Sequence, residues 1–316
     1  MVSLLDSNWT VYERFNDGHR SGYVEYFKSK FEAFKTNKLI NCVDKNVIFP
    51  TLDGNEFPFV FIAIISLLTR KKIIALSIRP HESRSWLKYF CWKYVVGFII
   101  RFGNVRLISP IKHENAKVGD RSILYMFDYF PDPELIMSEN VSFATNEVIF
   151  DLAMLGEIKE NKNINLFVNL VSELKSSNVC VGRVSDERIV NKLANLGDNL
   201  EVVNGRVSDA AFYDYISKSK FVFCLYLKDQ SSGVLFKSLR MGKPVLIWND
   251  SIISKFDFIG AVRISRDMSV FDILNELDKF TISQEEILVN FNNIVQKEVF
   301  LADDFITRIR RSNDEL

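Results

Sequence analysis

From residue 150 onward, short apolar runs alternate with segments whose apolar residues recur every three or four positions. Phe150–Leu155 reads as a buried strand ended by Gly156, and residues 161–175 follow as a helix carrying Ile164, Phe167, Val168, Val171 and Leu174 on one face. Residues 178–181 form a second strand, ended by Gly182, and Ser185 with Asp186 opens a helix to about Leu196. Residues 200–203 make a third strand, and Ser208 with Asp209 caps a helix to Ser219. Residues 221–227 are a fourth strand, 233–241 a helix and 244–248 a fifth strand. Gly242 stands where a left-handed residue ends a helix, and Pro244 follows it. Apolar strands alternating with amphipathic helices predict a parallel sheet covered on both faces, over residues 150–280.

The first half follows the same pattern more loosely. Strands are predicted at 8–14, 47–49, 72–78, 105–108 and 122–127, with a helix over 22–34. Pro131 and Pro133, with the polar Ser138, Glu139 and Asn140 after them, read as the connection between two domains. At 316 residues the chain is long enough for two cores. The longest apolar run, 57–68, contains Pro58 and Ser66 and is too short to span a bilayer. The N-terminus lacks the basic-then-apolar pattern of a signal peptide, so a cytoplasmic location is expected. Lys plus Arg and Asp plus Glu each number 40, which leaves no global field to attract nucleic acid. Cys42, Cys91, Cys180 and Cys224 are widely spaced in apolar stretches and read as buried thiols.

Candidate chemistry centres on residues 228–247. A strand ends, a loop carrying Asp229, Ser231, Ser232 and Gly233 follows, and a helix begins. Glycine lets a ligand approach the backbone, while the helix start offers free N–H groups and a favourable dipole to an anion. Ser231 and Ser232 add hydroxyl donors, and the loop falls at the carboxyl edge of the strands, where such sheets bind ligands. An ordinary helix cap of serine and glycine has the same composition.

This stretch resembles the donor-site signature of GT-B glycosyltransferases, particularly the retaining group with paired glutamates eight positions apart. Gly242-Lys243-Pro244-Val245 matches the motif's close, Ser232-Gly233 its turn and Asp229 its first acidic position. Lys237 stands at the second, where the family's Glu holds ribose hydroxyls; a cation cannot accept those hydrogen bonds. Gly156 and Lys162 are similar to the loop that opens the family's nucleotide domain, where the lysine reaches the donor phosphates. The family often has an arginine just after that first strand, but this chain has Glu157. Arg183, after the second strand, and Arg206, in a loop passing near the base, follow in family order; Val234 begins the donor-site helix.

The resemblance implies two Rossmann-like domains facing across a cleft, 1–135 binding the acceptor and 136–316 the nucleotide sugar. The last helix is a candidate to return to the first domain. It further implies transfer of a hexose to a glycan or lipid-linked acceptor, as in bacterial surface polysaccharide synthesis, without a cofactor or metal. Retention of configuration is implied too, and left open by Lys237. Within 1–135, Asp17 and His19 lie in the first strand-to-helix loop and are the catalytic candidates, together with Lys162. His81, His113 and Asp128 are weaker candidates of the same kind. Residues 84–101 interleave Arg84, Trp86, Lys88, Tyr89, Phe90, Trp92, Lys93, Tyr94 and Arg101, the composition of a helix lying on an anionic membrane at its inner face, or of a core helix with snorkelling lysines. The rival readings are an inactive GT-B-like protein that binds a glycan or partner enzyme, and a two-domain sugar-nucleotide epimerase.

Overall fold

The computed structural model describes residues 8–14, 20–52, 54–76, 105–109, 123–125, 147–174, 176–184, 186–227 and 232–311. The chain divides into two units, residues 1–140 with 298–316, and residues 141–297. Each is an α/β unit built on a parallel sheet.

In the first unit the strands are β1 (Trp9–Tyr12), β2 (Phe34–Thr36), β3 (Asn46–Phe49), β4 (Ile73–Leu76), β5 (Val105–Ser109) and β6 (Ile123–Tyr125). Their order across the sheet is β2-β1-β3-β4-β5-β6. Helices α1 (Arg20–Phe31) and α2 (Glu56–Thr69) follow β1 and β3. Alternate strand residues enter two separate cores: Trp9, Val11, Ile48 and Ile74 pack with Phe27 and Phe31, while Tyr12, Val47, Phe49, Ile73 and Ala75 pack with Phe59 and Ile62. That two-sided burial is why these strands read as continuous apolar runs.

The helix expected to reach residue 34 ends at Phe31, and Phe34 belongs to β2 instead. Glu32 takes the left-handed conformation at φ 51°, and Ala33 N–H bonds back to the Lys28 carbonyl at 3.1 Å. This is a helix stop normally advertised by glycine, here made by a glutamate. The apolar run 57–68 falls in α2. Pro58, Phe59, Ile62, Ala63 and Ser66 face the core, whereas Phe57, Phe61, Ile64 and Leu68 form an exposed stripe on the same helix. Among the described residues no helix is long and apolar enough to cross a membrane.

The second unit holds β7 (Phe150–Leu155), β8 (Asn178–Gly182), β9 (Leu200–Asn204), β10 (Ser219–Phe223), β11 (Val245–Trp248) and β12 (Ala261–Ile264), in the order β12-β11-β10-β7-β8-β9. The helices are α3 (Ile164–Glu173), α4 (Glu187–Ala194), α5 (Asp209–Ser217), α6 (Gly233–Arg240), α7 (Val270–Asp278) and α8 (Gln284–Arg311), the last continuing into the first unit's residues. Asp186 is the N-cap of α4, accepting from Arg188 N–H, and Ser208 is the N-cap of α5. Helix α5 stops at Ser217, two residues short of expectation, because Ser219 pairs with Phe150 to start β10. Residues 224–227, expected in that strand, lie beyond its end.

Strand β12 and helices α7 and α8 had no individual assignment from sequence. Helix α7 begins with a reciprocal bond pair between Ser269 and Asp272. Gly242 takes φ 69° at the end of α6, and a side chain there would overlap Gln284 at the start of α8. The Gln284 amide also donates to the Met241 carbonyl at 2.8 Å. The glycine of the Gly-Lys-Pro-Val stretch therefore secures a packing corner.

Candidate donor site at the sheet edge

Counting from β7, the second sheet has the order 3-2-1-4-5-6 read from β9 to β12, so the connections reverse direction between β7 and β10. Ligands of open α/β sheets occupy the crevice beyond the carboxyl ends of two such strands. The loops after β7 and β10 meet here: Leu227 N–H bonds to the Asn161 carbonyl at 2.8 Å.

Gly156 leaves β7 at φ 96°, and a Cβ there would sit 3.3 Å from Val234 Cγ2 and 3.7 Å from Lys162 Nζ. The first loop, the start of α6 and the lysine are thus in one neighbourhood. Gly182, at the end of β8, packs so closely that a Cβ would overlap the Gly156 carbonyl. Sequence reading took Gly182 only as a strand end; its φ of 144° and this contact admit glycine alone.

Lys162 is buried, on a 3₁₀ turn between β7 and α3. Its ammonium donates to the Leu155 carbonyl at 3.0 Å and to the Tyr226 hydroxyl at 2.9 Å, and lies 4.3 Å from the Tyr226 ring centroid. Burial pushes its pKa below the ordinary lysine value. Lys162, which the resemblance implies reaches the donor phosphates, is an interior lysine with fixed partners. Tyr226, which sequence reading passed over as one more residue of an apolar strand, joins it to Ser232, whose Oγ is 3.0 Å from the tyrosine oxygen. Burial holds the Tyr226 hydroxyl well above the usual phenol value. Trp248 Nε1 donates to the Tyr226 carbonyl at 2.7 Å and fixes the segment that follows β10. A tyrosine at the carboxyl end of an otherwise apolar strand was the available signal.

Ser232 is the N-cap of α6 yet makes no side-chain cap bond. A Cβ on Gly233 would meet nothing within 4 Å. Among the described residues nothing crowds the Cβ position of Gly233, and Ser232 leaves the first N–H groups of α6 without its side-chain cap, a local arrangement that favours an anion.

The remaining candidates divide. Arg183 pairs with Glu157 at 2.8 Å, and Lys159 pairs with the same carboxylate at 2.8 Å. Those hydrogen bonds from Lys159 and Arg183 hold the Glu157 carboxyl below its usual range, so the acid in the family's arginine position is screened by two cations. Lys237 lies 5.3 Å from the Phe212 ring and 5.1 Å from that of Tyr213, both on α5. Its charge is held by these aromatic faces. Arg206 is exposed. Asp229, Ser231, Asp17, His19, His81, His113, Asp128 and residues 84–101 lie outside the described residues.

No protein-family model matches the sequence, and no curated protein does. Solved structures match the fold along most of its length. HepE of Anabaena, in complex with UDP and glucose, gives a TM-score of 0.63 at 11% identity, covering 98% of this chain and 99% of that one. A UDP-forming α,α-trehalose-phosphate synthase of Burkholderia xenovorans gives 0.57 at 11% identity, covering 94% and 81%. WaaG, a glycosyltransferase involved in lipopolysaccharide biosynthesis, gives 0.53 at 10% identity, covering 95% and 99%. The fold is GT-B. In this GT-B chain the β7/β10 edge is the place where backbone openness, hydroxyl and cation coincide. The first unit's order, β2-β1-β3-β4-β5-β6, reverses between β1 and β3. There Asn55, fully buried, donates to Glu13 Oε1 at 3.0 Å and to the Thr51 carbonyl at 3.1 Å. Glu13 and Asn55 were not singled out from sequence.

Proposed function

We propose that this chain transfers a sugar from a nucleoside diphosphate sugar to a hydroxyl of a glycan or lipid-linked acceptor, in the synthesis of a bacterial surface polysaccharide. The observation that carries the reading is the convergence of Lys162, Ser232 and the open backbone at Gly233 on the β7/β10 switch point. The UDP seen with HepE and the lipopolysaccharide role of WaaG support the donor and acceptor classes.

In the reaction the bond from the anomeric carbon to the diphosphate breaks, a bond from that carbon to the acceptor oxygen forms, and the acceptor proton passes to a base. Negative charge grows on the departing diphosphate. Backbone N–H groups at Gly233 and Val234, the hydroxyls of Ser231 and Ser232, and the nearby Lys162 charge stabilise it without a metal ion. Asp229 and Arg206 border the nucleoside, Arg183 the phosphates and Lys237 the ribose side. Asp17 and His19 are the acid–base candidates on the acceptor side. The stripe Phe57, Phe61, Ile64 and Leu68 on α2, followed in sequence by Arg70, Lys71 and Lys72, supports an anionic lipid surface as the place where the acceptor is met. Residues 84–101 are proposed as a second such contact.

The test is thermal stabilisation by UDP-, GDP- and dTDP-sugars, followed by release of nucleoside diphosphate with and without EDTA. A ligand at 100 times its Kd adds about 2.7 kcal/mol, enough to raise the Tm visibly. Turnover that survives EDTA supports the reading; turnover lost to EDTA and restored by Mg²⁺ or Mn²⁺ removes its metal-independent form. One feature favours the binding-protein reading: Lys237, at the position where the resemblance implies a ribose-binding glutamate, faces the Tyr213 ring. Nucleotide-sugar binding with no release to any acceptor would establish that alternative.

A further inference from the structure

Tyr226 stands at the middle of a buried line of polar groups that has one direction. The Lys162 ammonium only donates, and it gives hydrogens to the Leu155 carbonyl and the Tyr226 hydroxyl. Tyr226 then has a single hydrogen to pass on. Its choices are Ser232 Oγ at 3.0 Å and Cys224 Sγ at 3.6 Å. Oxygen is both the nearer and the stronger acceptor, which points to Ser232 as the receiver.

That bond changes what the serine does. A serine at a helix N-cap ordinarily accepts from the N–H of the second or third helical residue. Ser232 makes no such bond, although Ser208, Ser251 and Ser269 each do at their own helix starts. Accepting from Tyr226, the Ser232 hydroxyl has its own hydrogen to give to an outside acceptor, next to Gly233, whose Cβ position meets no described atom within 4 Å.

We propose that Tyr226 is the positioning residue of the donor site. It holds the Ser232 hydroxyl as a donor toward the diphosphate and couples that hydroxyl to the buried Lys162 ammonium. The inference rests on the donor-site reading above but concerns the anion, whatever nucleoside or sugar is attached to it. Lys162 acts through Tyr226 and Ser232 instead of touching phosphate.

The experiment is calorimetric titration of pyrophosphate, UDP and uridine into the wild-type chain, Tyr226→Phe, Ser232→Ala and the double variant. Each single change lowers affinity for pyrophosphate and UDP about ten-fold, the value of one hydrogen bond to a charged group. The double variant is no weaker than either single one, because both remove the same donor. Uridine affinity is the same throughout. Losses that add, a Tyr226→Phe variant that weakens uridine as much as UDP, or a wild-type chain that does not bind pyrophosphate would each overturn the proposal. If Tyr226→Phe does not fold, Ser232→Ala carries the test: a loss of about ten-fold in pyrophosphate and UDP affinity with uridine unchanged supports the proposal, and wild-type pyrophosphate affinity overturns it. Pyrophosphate binding with this pattern, but no binding of any nucleotide sugar, supports Tyr226 in its role while sinking the donor reading.

Discussion

The two sheets are wired differently, and their switch points carry opposite chemistry. In the first unit the reversal between β1 and β3 buries a carboxyl group against an amide, Glu13 with Asn55. In the second the reversal between β7 and β10 buries an ammonium against two hydroxyls, Lys162 with Tyr226 and Ser232. Each sheet thus carries a buried side-chain hydrogen bond at the edge where such folds bind ligands. Beyond Ser232, no described atom lies within 4 Å of a Cβ built on Gly233, an arrangement suited to a diphosphate. The contrast teaches that the kind of buried group, more than fold, distinguishes the two edges.

The largest expected effect separates the glycines of the second edge. Gly182→Ala must push its Cβ into the Gly156 carbonyl, so it costs about 4 kcal/mol or more in urea unfolding. Gly205→Ala meets nothing within 4 Å and bears only the strain of φ 152°, about 1 kcal/mol. Equal losses at the two positions would mean that the close packing of the β7 and β8 ends is wrong.

Next comes the contrast between the anchors themselves. Lys162→Met leaves the Tyr226 hydroxyl and the Leu155 carbonyl without their donor and cuts turnover by about 10² to 10³, more than it weakens nucleotide binding. Asn55→Ala costs about 2 kcal/mol of stability through the amide bonds it loses, yet leaves nucleotide affinity as in the wild type. Steady-state kinetics and titration of both variants check this; a nucleotide-binding defect in Asn55→Ala contradicts the division of labour.

A smaller effect appears in alkali. Burial pushes the Cys42 and Cys180 thiols from 9.0 up to about 12. The unfolded chain then releases these protons first, so stability falls as pH rises from about 9 toward 12. The loss is on the order of 1 kcal/mol per thiol at pH 10. Lys162 acts in the opposite sense: its lowered pKa makes the unfolded chain the tighter proton binder, so its contribution rises with pH below the ordinary lysine range. Urea unfolding at pH 8 and pH 10 should show that Cys42→Ala with Cys180→Ala makes stability fall less, or rise more, between those values than in the wild type. A variant with the same pH dependence as the wild type contradicts the burial of these thiols.

The second sheet was legible because its strands are short apolar runs and its helices keep a regular spacing. Gly156, Gly182 and Gly242 punctuate it at positions where the backbone requires them. The first sheet was read only in outline. Its β2 follows a helix stopped by Glu32, a residue that gives no warning of a left-handed turn. At the site, Ser232, Gly233 and Lys162 were visible from residue type and order. Tyr226 was not, since its role comes from contacts with positions 64 residues before and 6 after it. Glu13 and Asn55, 42 apart, were hidden for the same reason. Lys162 was expected to touch phosphate itself; its burial was invisible because nothing local in the sequence distinguishes an interior lysine from a loop one.

The central claim is that the donor diphosphate lies against the start of α6, and Gly233→Val tests it most directly. No described atom lies within 4 Å of a Cβ built on Gly233, so the Tm of the valine variant should stay near wild type. The same side chain would fill the ground where the diphosphate is proposed to sit. The account predicts a folded variant that no longer binds any nucleotide sugar the wild type binds. A folded Gly233→Val chain with wild-type affinity would contradict it.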